Sequence, residues 1–406
     1  MAVSQLSPAG DPGDPPIRVA LDATPLLGPR TGVGEFCFRA LGALALRDDL
    51  RVGAFAITWR RRHGITGEVP SGVAVLGRSM PARPLHKSWS HWPFPPVEAF
   101  IGWADVVHGT NFVVPPAWRA AMVVTVHDLT PLRFPEMCQP ATLAYPALLR
   151  KALKRGAWIH TPSQAVADEV VGLLGAPPER VRAVHHGVAG RAGDASVAVG
   201  AGASAPVLGG TGLLPGATVR ALLPSWVEAY VLALGTVEPR KDLPTLVRAF
   251  GMIAARHPGL ALVIAGPDGW GSGQLSEAVA ACPAGDRVVR VGWVAGKQRE
   301  ALLQGAVVFA FPSLYEGFGF PPLEAMAAGT PVVATNCAAL KEVLGDAARL
   351  VAVGDVIALA GALEEVVSSE ATRSDLIRRG RQQAGGYTWE ASAEGLASLY
   401  RDVLSA

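Results

Sequence analysis

Charge is scarce in this chain: Asp, Glu, Lys and Arg make up 17% of its 406 residues, and 36 basic against 34 acidic residues leave a formal charge of +2. A chain that is half hydrophobic with nearly cancelling charges is neither a disordered segment nor an acidic tail, and its balance does not call for nucleic acid. Cysteine is scarcer. Cys37, Cys138, Cys282 and Cys337 stand far apart with no C-x-x-C or metal spacing, so a disulfide scaffold or zinc module is excluded and reduced, mostly buried thiols in a cytoplasmic protein are expected. Leu260 to Ala265 and Ala306 to Phe311 are strand-sized apolar runs. Neither approaches the roughly 18 residues that span a bilayer. Residues 1–16, rich in Pro, Gly, Asp and Ser, lack a basic start and an apolar stretch, and read as a flexible leader and not a secretory signal. No Asp-x-Asp occurs anywhere, and only 6 of the 36 basic residues are lysines.

What is present is an alternation of short β-branched runs with amphipathic stretches, the pattern of parallel α/β domains. Strands are expected at 17–22, 52–58, 73–76, 106–108, 122–127 and 158–161, with a glycine loop at 31–34 and helices at 35–46, 141–155 and 163–174. Residues 189–205 are nearly all Ala, Gly, Ser and Val without periodicity, so 189–226 is expected to be a linker or insertion. The pattern restarts with strands at 229–234, 260–265, 288–291, 307–312 and 331–334, and a helix at 242–255 presents Leu243, Leu246, Val247, Phe250 and Ile253 on one face. No repeat of 20 to 50 residues is visible. The expected architecture is two doubly wound, Rossmann-like domains, at 17–188 and 227–385, facing a cleft at the carboxyl ends of their strands, with 386–406 beyond the second.

Two segments carry chemistry. In Phe311-Pro-Ser-Leu-Tyr-Glu-Gly-Phe-Gly-Phe-Pro-Pro-Leu-Glu-Ala-Met-Ala-Ala-Gly, a strand ends at Pro312, a Pro-Pro pair opens a helix and Gly329 closes it. Glu316 and Glu324, with seven residues between them, place one carboxylate at the helix mouth and the other about one turn inside. The N–H groups of 317–320 suit an anion, while carboxylates suit hydroxyls; sugars supply hydroxyls. In Gly235-Thr-Val-Glu-Pro-Arg-Lys-Asp, Arg240 and Lys241 precede a helix that Asp242 can cap, and a guanidinium beside an ammonium suits a pyrophosphate.

With the preceding F-P-S-L-Y and the following A-M-A-A-G-T-P-V-V-A, these segments resemble family 4 retaining glycosyltransferases, which have the GT-B fold. The resemblance covers nearly the whole second half and extends to Tyr387-Thr-Trp-Glu onward, similar to the family's terminal helix that crosses back to the first domain. It implies an acceptor-binding first domain and a second domain that binds the nucleotide sugar. Glu324 would hold the donor ribose and Glu316 the transferred sugar. Arg240 and Lys241 would neutralise the leaving diphosphate. The backbone of Gly317, Phe318, Gly319 and Phe320, with Leu323, would touch phosphate and sugar; Gly292, Trp293 and Val294 would lie near the base, and Gly235 would allow close approach of the ligand.

The first half matches more loosely. Gly32-Val33-Gly34 resembles the family's glycine loop facing phosphate or acceptor; read alone, it is equally a tight strand-to-helix turn. His127-Asp128-Leu129-Thr130-Pro131 resembles an H-D-L-x-P subset of mannosyltransferase type, which implies His127 near donor sugar and acceptor, with Asp128 orienting it or capping the next turn. His186-Gly187-Val188 matches an H-N-G-V turn with the asparagine replaced, and His185 and His186 as adjacent residues point apart and make no metal site. Without Asp-x-Asp the cationic pair would take a metal's place, so no cofactor, metal or protein nucleophile is expected. The resemblance leans toward a mannose-like hexose carried on GDP and passed to a glycan, lipid-linked or small-molecule acceptor, with UDP and dTDP sugars as the alternative. A nucleotide-sugar epimerase would lack E-x7-E, a phosphorylase would need a further lysine, and an oxidoreductase would need a glycine where Cys37 stands. A non-catalytic nucleotide-sugar-binding protein would have lost Glu316, His127 or Lys241. Cations and aromatics at 60–63, 86–92 and 150–155 are either ordinary solvated faces or a peripheral contact with the inner face of a membrane.

Overall fold

The computed structural model describes residues 15–28, 32–58, 65–77, 80–81, 84–85, 88–89, 92–188, 217–294 and 296–406. In the first half β1 (Ile17–Asp22), α1 (Gly32–Ala45), β2 (Leu50–Phe55), β3 (Ala74–Val75), β4 (Val106–Gly109), β5 (Ala121–Thr125), α2 (Tyr145–Lys154), β6 (Trp158–Thr161), α3 (Gln164–Leu174) and β7 (Val181–Ala183) build a parallel sheet of order β3-β2-β1-β4-β5-β6-β7. The second half holds β8 (Ala229–Leu234), α4 (Leu243–Ala254), β9 (Leu260–Ala265), α5 (Ser272–Ala281), β10 (Val288–Gly292), α6 (Lys297–Gly305), β11 (Val308–Phe311), α7 (Phe320–Ala328), β12 (Val332–Thr335), α8 (Ala338–Leu344), β13 (Arg349–Val351), α9 (Val356–Ser368) and α10 (Glu370–Gly385), with order β10-β9-β8-β11-β12-β13. Helices on both faces explain why central strands such as Leu-Ala-Leu-Val-Ile-Ala in β9 are apolar at every position: all six residues are buried. Each order reverses once, between β1 and β4 and between β8 and β11. Those reversals are where a doubly wound sheet leaves a crevice at its carboxyl edge.

The expected face of α4 is buried as read. Three local expectations change. Gly32 and Gly34 lie within the first turn of α1 and not in a loop before it. Asp242 adopts φ +44° and receives Thr245 N–H on its main-chain carbonyl at 3.1 Å, without a side-chain cap. Of the expected linker, 189–216 lies outside the described residues, while Val219 and Leu223 are already buried in the second half's core. Among the described residues no helix is long and apolar enough to cross a membrane.

After α10 the chain returns to the first half as α11 (Trp389–Ser405), whose Trp389, Leu396 and Tyr400 join Phe36 and Leu41 in one core. Gly187 makes the return possible: a Cβ there would sit 2.4 Å from Trp389 N. Beneath α11 runs a buried polar chain whose direction is set by its end, because a carbonyl can only accept. His160 Nε2 donates to Val184 O (3.1 Å), so its Nδ1 accepts from Thr125 Oγ1 (2.9 Å). Thr125 in turn accepts from His108 Nε2 (2.8 Å), and His108 Nδ1 accepts from the Tyr400 hydroxyl (2.7 Å). Both histidines of this polar chain, His108 and His160, are therefore neutral. Burial holds His160 down at about 3 and His108, His127 and His186 below the ordinary 6.5, while burial pushes Asp22 up to about 6.

This arrangement predicts acid sensitivity. Below pH 6.5 the unfolded chain binds protons on these four histidines more readily than the folded chain, so stability falls as the pH falls. Asp22 works the other way between about 6 and 3.8, taking a proton only when folded, and offsets one histidine. The urea midpoint is therefore expected to fall steeply from pH 7.5 to 5.5. Equal midpoints would refute the neutral chain.

Candidate active site

The second half's wall is built at the β8/β11 reversal. β8 ends in Gly235 (φ +146°) and β9 in Gly266 (φ +153°), conformations open to glycine; a Cβ on Gly266 would stand 1.9 Å from Gly235 O. Two flush turns leave a pocket lined by Gly235, Thr236, Lys241, Leu243, Phe311 and Pro312. Glu316 is buried at its edge with both carboxylate oxygens engaged: Oε1 by Lys241 Nζ at 2.6 Å and Oε2 by Arg240 Nη1 at 2.7 Å. Burial alone would favour the neutral acid, yet Arg240 and Lys241 outweigh it and hold Glu316 at about 2. Arg240 is held by protein at three points, with Nη2 on Glu238 (2.7 Å) and Nη1 also on the Tyr315 carbonyl (2.8 Å). The two adjacent cations are thus not equivalent. Lys241, which has N–H groups to spare, faces the pocket, and Arg240 braces the loop behind it.

Glycine turns also present α7. Gly319 (φ +113°) starts the helix and Gly329 (φ +85°) ends it, with Leu323 buried beneath. Glu324, one turn inside, pairs through Oε2 with Arg299 of α6 and makes no other hydrogen bond to a described residue. Gly292 (φ +69°) turns the chain out of β10, leaving Trp293 exposed and Val294 buried.

The first half's wall meets this one closely. A Cβ on Gly32 would lie 3.7 Å from the Phe320 ring, so the first turn of α1, with Val33 and Gly34, faces the mouth of α7. His127 packs between Phe36 and Phe112 with ring centroids at 5.3 and 5.9 Å. Its Nε2 donates to Thr110 O at 2.8 Å, which leaves Nδ1 as an acceptor, and burial holds the ring neutral. Asp128 accepts from Thr130 N at 2.9 Å: it caps the next turn and does not orient His127. Gly317 touches the His127 carbonyl, which a Cβ would approach to 1.7 Å, and Ser163 Oγ donates to Gly317 O at 2.8 Å. The Tyr315 hydroxyl receives Leu129 N–H (2.8 Å) and donates to Glu169 (2.5 Å), and Trp270 Nε1 donates to Met137 O (2.9 Å). His127, Glu316, Arg240 and Lys241 are thereby brought to one place. Arg299, Tyr315, Glu238 and Trp270 were not foreseen, although Tyr315 and Glu238 lay inside the two segments already singled out.

The model of the glycosyl transferases group 1 matches residues 226–383, and that of glycosyltransferase family 4 matches residues 32–189. The chain belongs to glycosyltransferase family 4 and has the GT-B fold. O-antigen chain mannosyltransferase B of Escherichia coli is 28% identical to this glycosyltransferase over 410 residues, 95% of this chain and 100% of that protein. The D-inositol 3-phosphate glycosyltransferase of Saccharomonospora viridis is 31% identical over 253 residues, 59% of this chain and 54% of that one. Among solved structures, sucrose-phosphate synthase from Thermosynechococcus elongatus superposes with a TM-score of 0.70 at 21% identity, over 96% of this chain and 99% of that one. HepE of Anabaena with UDP gives 0.64 at 15% identity, over 94% and 98%.

Gly317→Ala tests whether this glycosyltransferase works with its halves in contact. The 1.7 Å approach to a backbone oxygen leaves the extra methyl no room, so the halves must separate there. Transfer is expected to drop about 100-fold, the cost of a misplacement of order 1 Å, with an unchanged melting temperature. Wild-type turnover would show that this contact plays no part.

Proposed function

We propose that this glycosyltransferase moves a mannose-like hexose from GDP to a glycan or lipid-linked acceptor, with retention of anomeric configuration and without a metal ion. The observation that carries the reading is Lys241 at the mouth of the β8/β11 pocket, with Glu316 and Glu324 presented by the same loop and helix. As the bond between anomeric carbon and phosphate oxygen breaks, positive charge grows on the sugar and negative charge on the phosphate. Lys241 shares its ammonium between Glu316 and that phosphate, an electrostatic role that needs no metal. Glu316, held ionised, accepts from sugar hydroxyls, and His127 accepts through Nδ1. The acceptor oxygen attacks from the face the phosphate is leaving, and its proton passes to a phosphate oxygen, so no protein nucleophile is required. The mannosyltransferase relative supports a mannose-like sugar. The UDP-bound neighbours, at low identity, are what favours a UDP donor as the second reading.

An acceptor held at a membrane has separate support. Trp92, Phe94, Trp103 and Trp118 are all more than half exposed, with Phe94 and Trp118 ring centroids 6.2 Å apart. The nearby carboxylates are occupied: Asp105 pairs with Arg18, which lies over Trp103, and Glu98 Oε1 accepts from the N–H groups of Trp118, Arg119 and Ala120. An exposed aromatic face whose described neighbouring carboxylates, Asp105 and Glu98, are engaged by protein suits a bilayer surface.

The donor reading is tested by a thermal-shift panel of GDP, UDP, dTDP, ADP and NAD, followed by NMR of the product formed from the matching sugar nucleotide in excess EDTA. Stabilisation by GDP and an α product from an α donor are expected. A β product or loss of activity in EDTA overturns retention or metal independence; stabilisation by NAD alone overturns the class. For the membrane, Trp103→Ser with Trp118→Ser is expected to cut co-flotation with phosphatidylglycerol vesicles at least fivefold, and unchanged flotation refutes the aromatic face.

A further inference from the structure

The two carboxylates of the E-x7-E pair are neutralised differently. Glu316 has both oxygens engaged, by Arg240 and Lys241. Glu324 has one cation, Arg299, on Oε2, and its Oε1 is without a partner among the described residues. Arg299 arrives from outside the glycine-rich segments, in the first turn of α6, just past the Gly292–Gly296 turn. Both side chains are partly shielded, at 31% and 20% exposure.

We propose that Arg299 is the positioning residue of the donor site. It clamps Glu324 by one oxygen so that Oε1 and a spare lone pair on Oε2 are held ready for the vicinal hydroxyls of the donor's ribose; this rests on the donor-site reading above. Three physical consequences follow from one ion pair. The clamp removes rotamer freedom from a long side chain, so the ligand does not bear that ordering cost. It cancels a negative charge that would otherwise repel an incoming diphosphate. It also compensates the carboxylate when a nucleoside lies over it and strips its water. A salt bridge that merely tied α6 to α7 would do none of these, and at this exposure would contribute little to stability.

The experiment measures affinity, not turnover. Isothermal titration compares the nucleoside diphosphate that binds best with its 2′,3′-dideoxy analogue, in wild type, Arg299→Gln, Arg299→Lys and Glu324→Gln. In wild type the dideoxy analogue is expected to bind at least tenfold more weakly. In Arg299→Gln the parent nucleotide weakens about tenfold and the dideoxy penalty shrinks to less than threefold, with the melting temperature unchanged. Arg299→Lys, which keeps the charge, recovers most of the parent affinity. A wild-type dideoxy penalty retained in Arg299→Gln would show that Arg299 has no part in hydroxyl recognition and overturn the proposal while leaving the donor site intact. A wild-type chain that binds no nucleoside diphosphate, or Glu324→Gln with unchanged affinity, would overturn the donor-site reading and the clamp with it.

Discussion

A carboxylate buried between a guanidinium and an ammonium is the constraint from which the site is built. Glu316 would be an expensive charge at its depth, and removing either partner would leave an uncompensated ion in a shielded place, a change that commonly costs several kcal/mol. The triad therefore fixes the loop that carries it. Arg240 receives Leu314 N–H on its carbonyl at 2.9 Å and holds the Tyr315 carbonyl with its guanidinium, and the Tyr315 ring is thereby aimed at Leu129 and Glu169 in the other half. Charge compensation within one domain thus becomes registration between two.

The opposite wall obeys a different rule. His186 stacks on Phe320 at 12° between rings, lies 4.2 Å from Phe36, and neither of its ring nitrogens has a partner among the described residues. Burial with His160, His127 and His185 nearby keeps it neutral. Orphaned nitrogens in an aromatic cage are a cost in stability, carried at the hinge where an asparagine-type turn was the expectation. The two walls meet through directional hydrogen bonds at Tyr315 and Gly317 and through the stack of His186 on Phe320.

Much of the fold was legible because a parallel strand covered on both faces must be apolar throughout. β1, β6, β8 and β9 coincide with their runs residue for residue. Edge strands were not. β7 and β13 are three residues each and only partly buried, so nothing in Val181–Ala183 or Arg349–Val351 marked them. Within the site, sequence spacing identified carboxylates and cations that share a loop or a helix turn, and could not say that Arg240 turns inward while Lys241 turns to the pocket. Partners distant in sequence were beyond it: Arg299 stands 25 residues before Glu324, and the polar chain beneath α11 joins positions 108, 125, 160 and 400.

That last set bears on how the protein comes into being. The first sheet is complete by residue 183, yet its buried His108 finds its hydroxyl partner only in Tyr400 of α11, and Phe36 and Leu41 finish their core on Trp389 and Leu396. During synthesis from the amino end, the first half must wait for more than 200 further residues before this face is covered. Its apolar flank is open to chaperones or to self-association throughout that interval. The second half, whose core draws mainly on residues beyond 217, is free to close first.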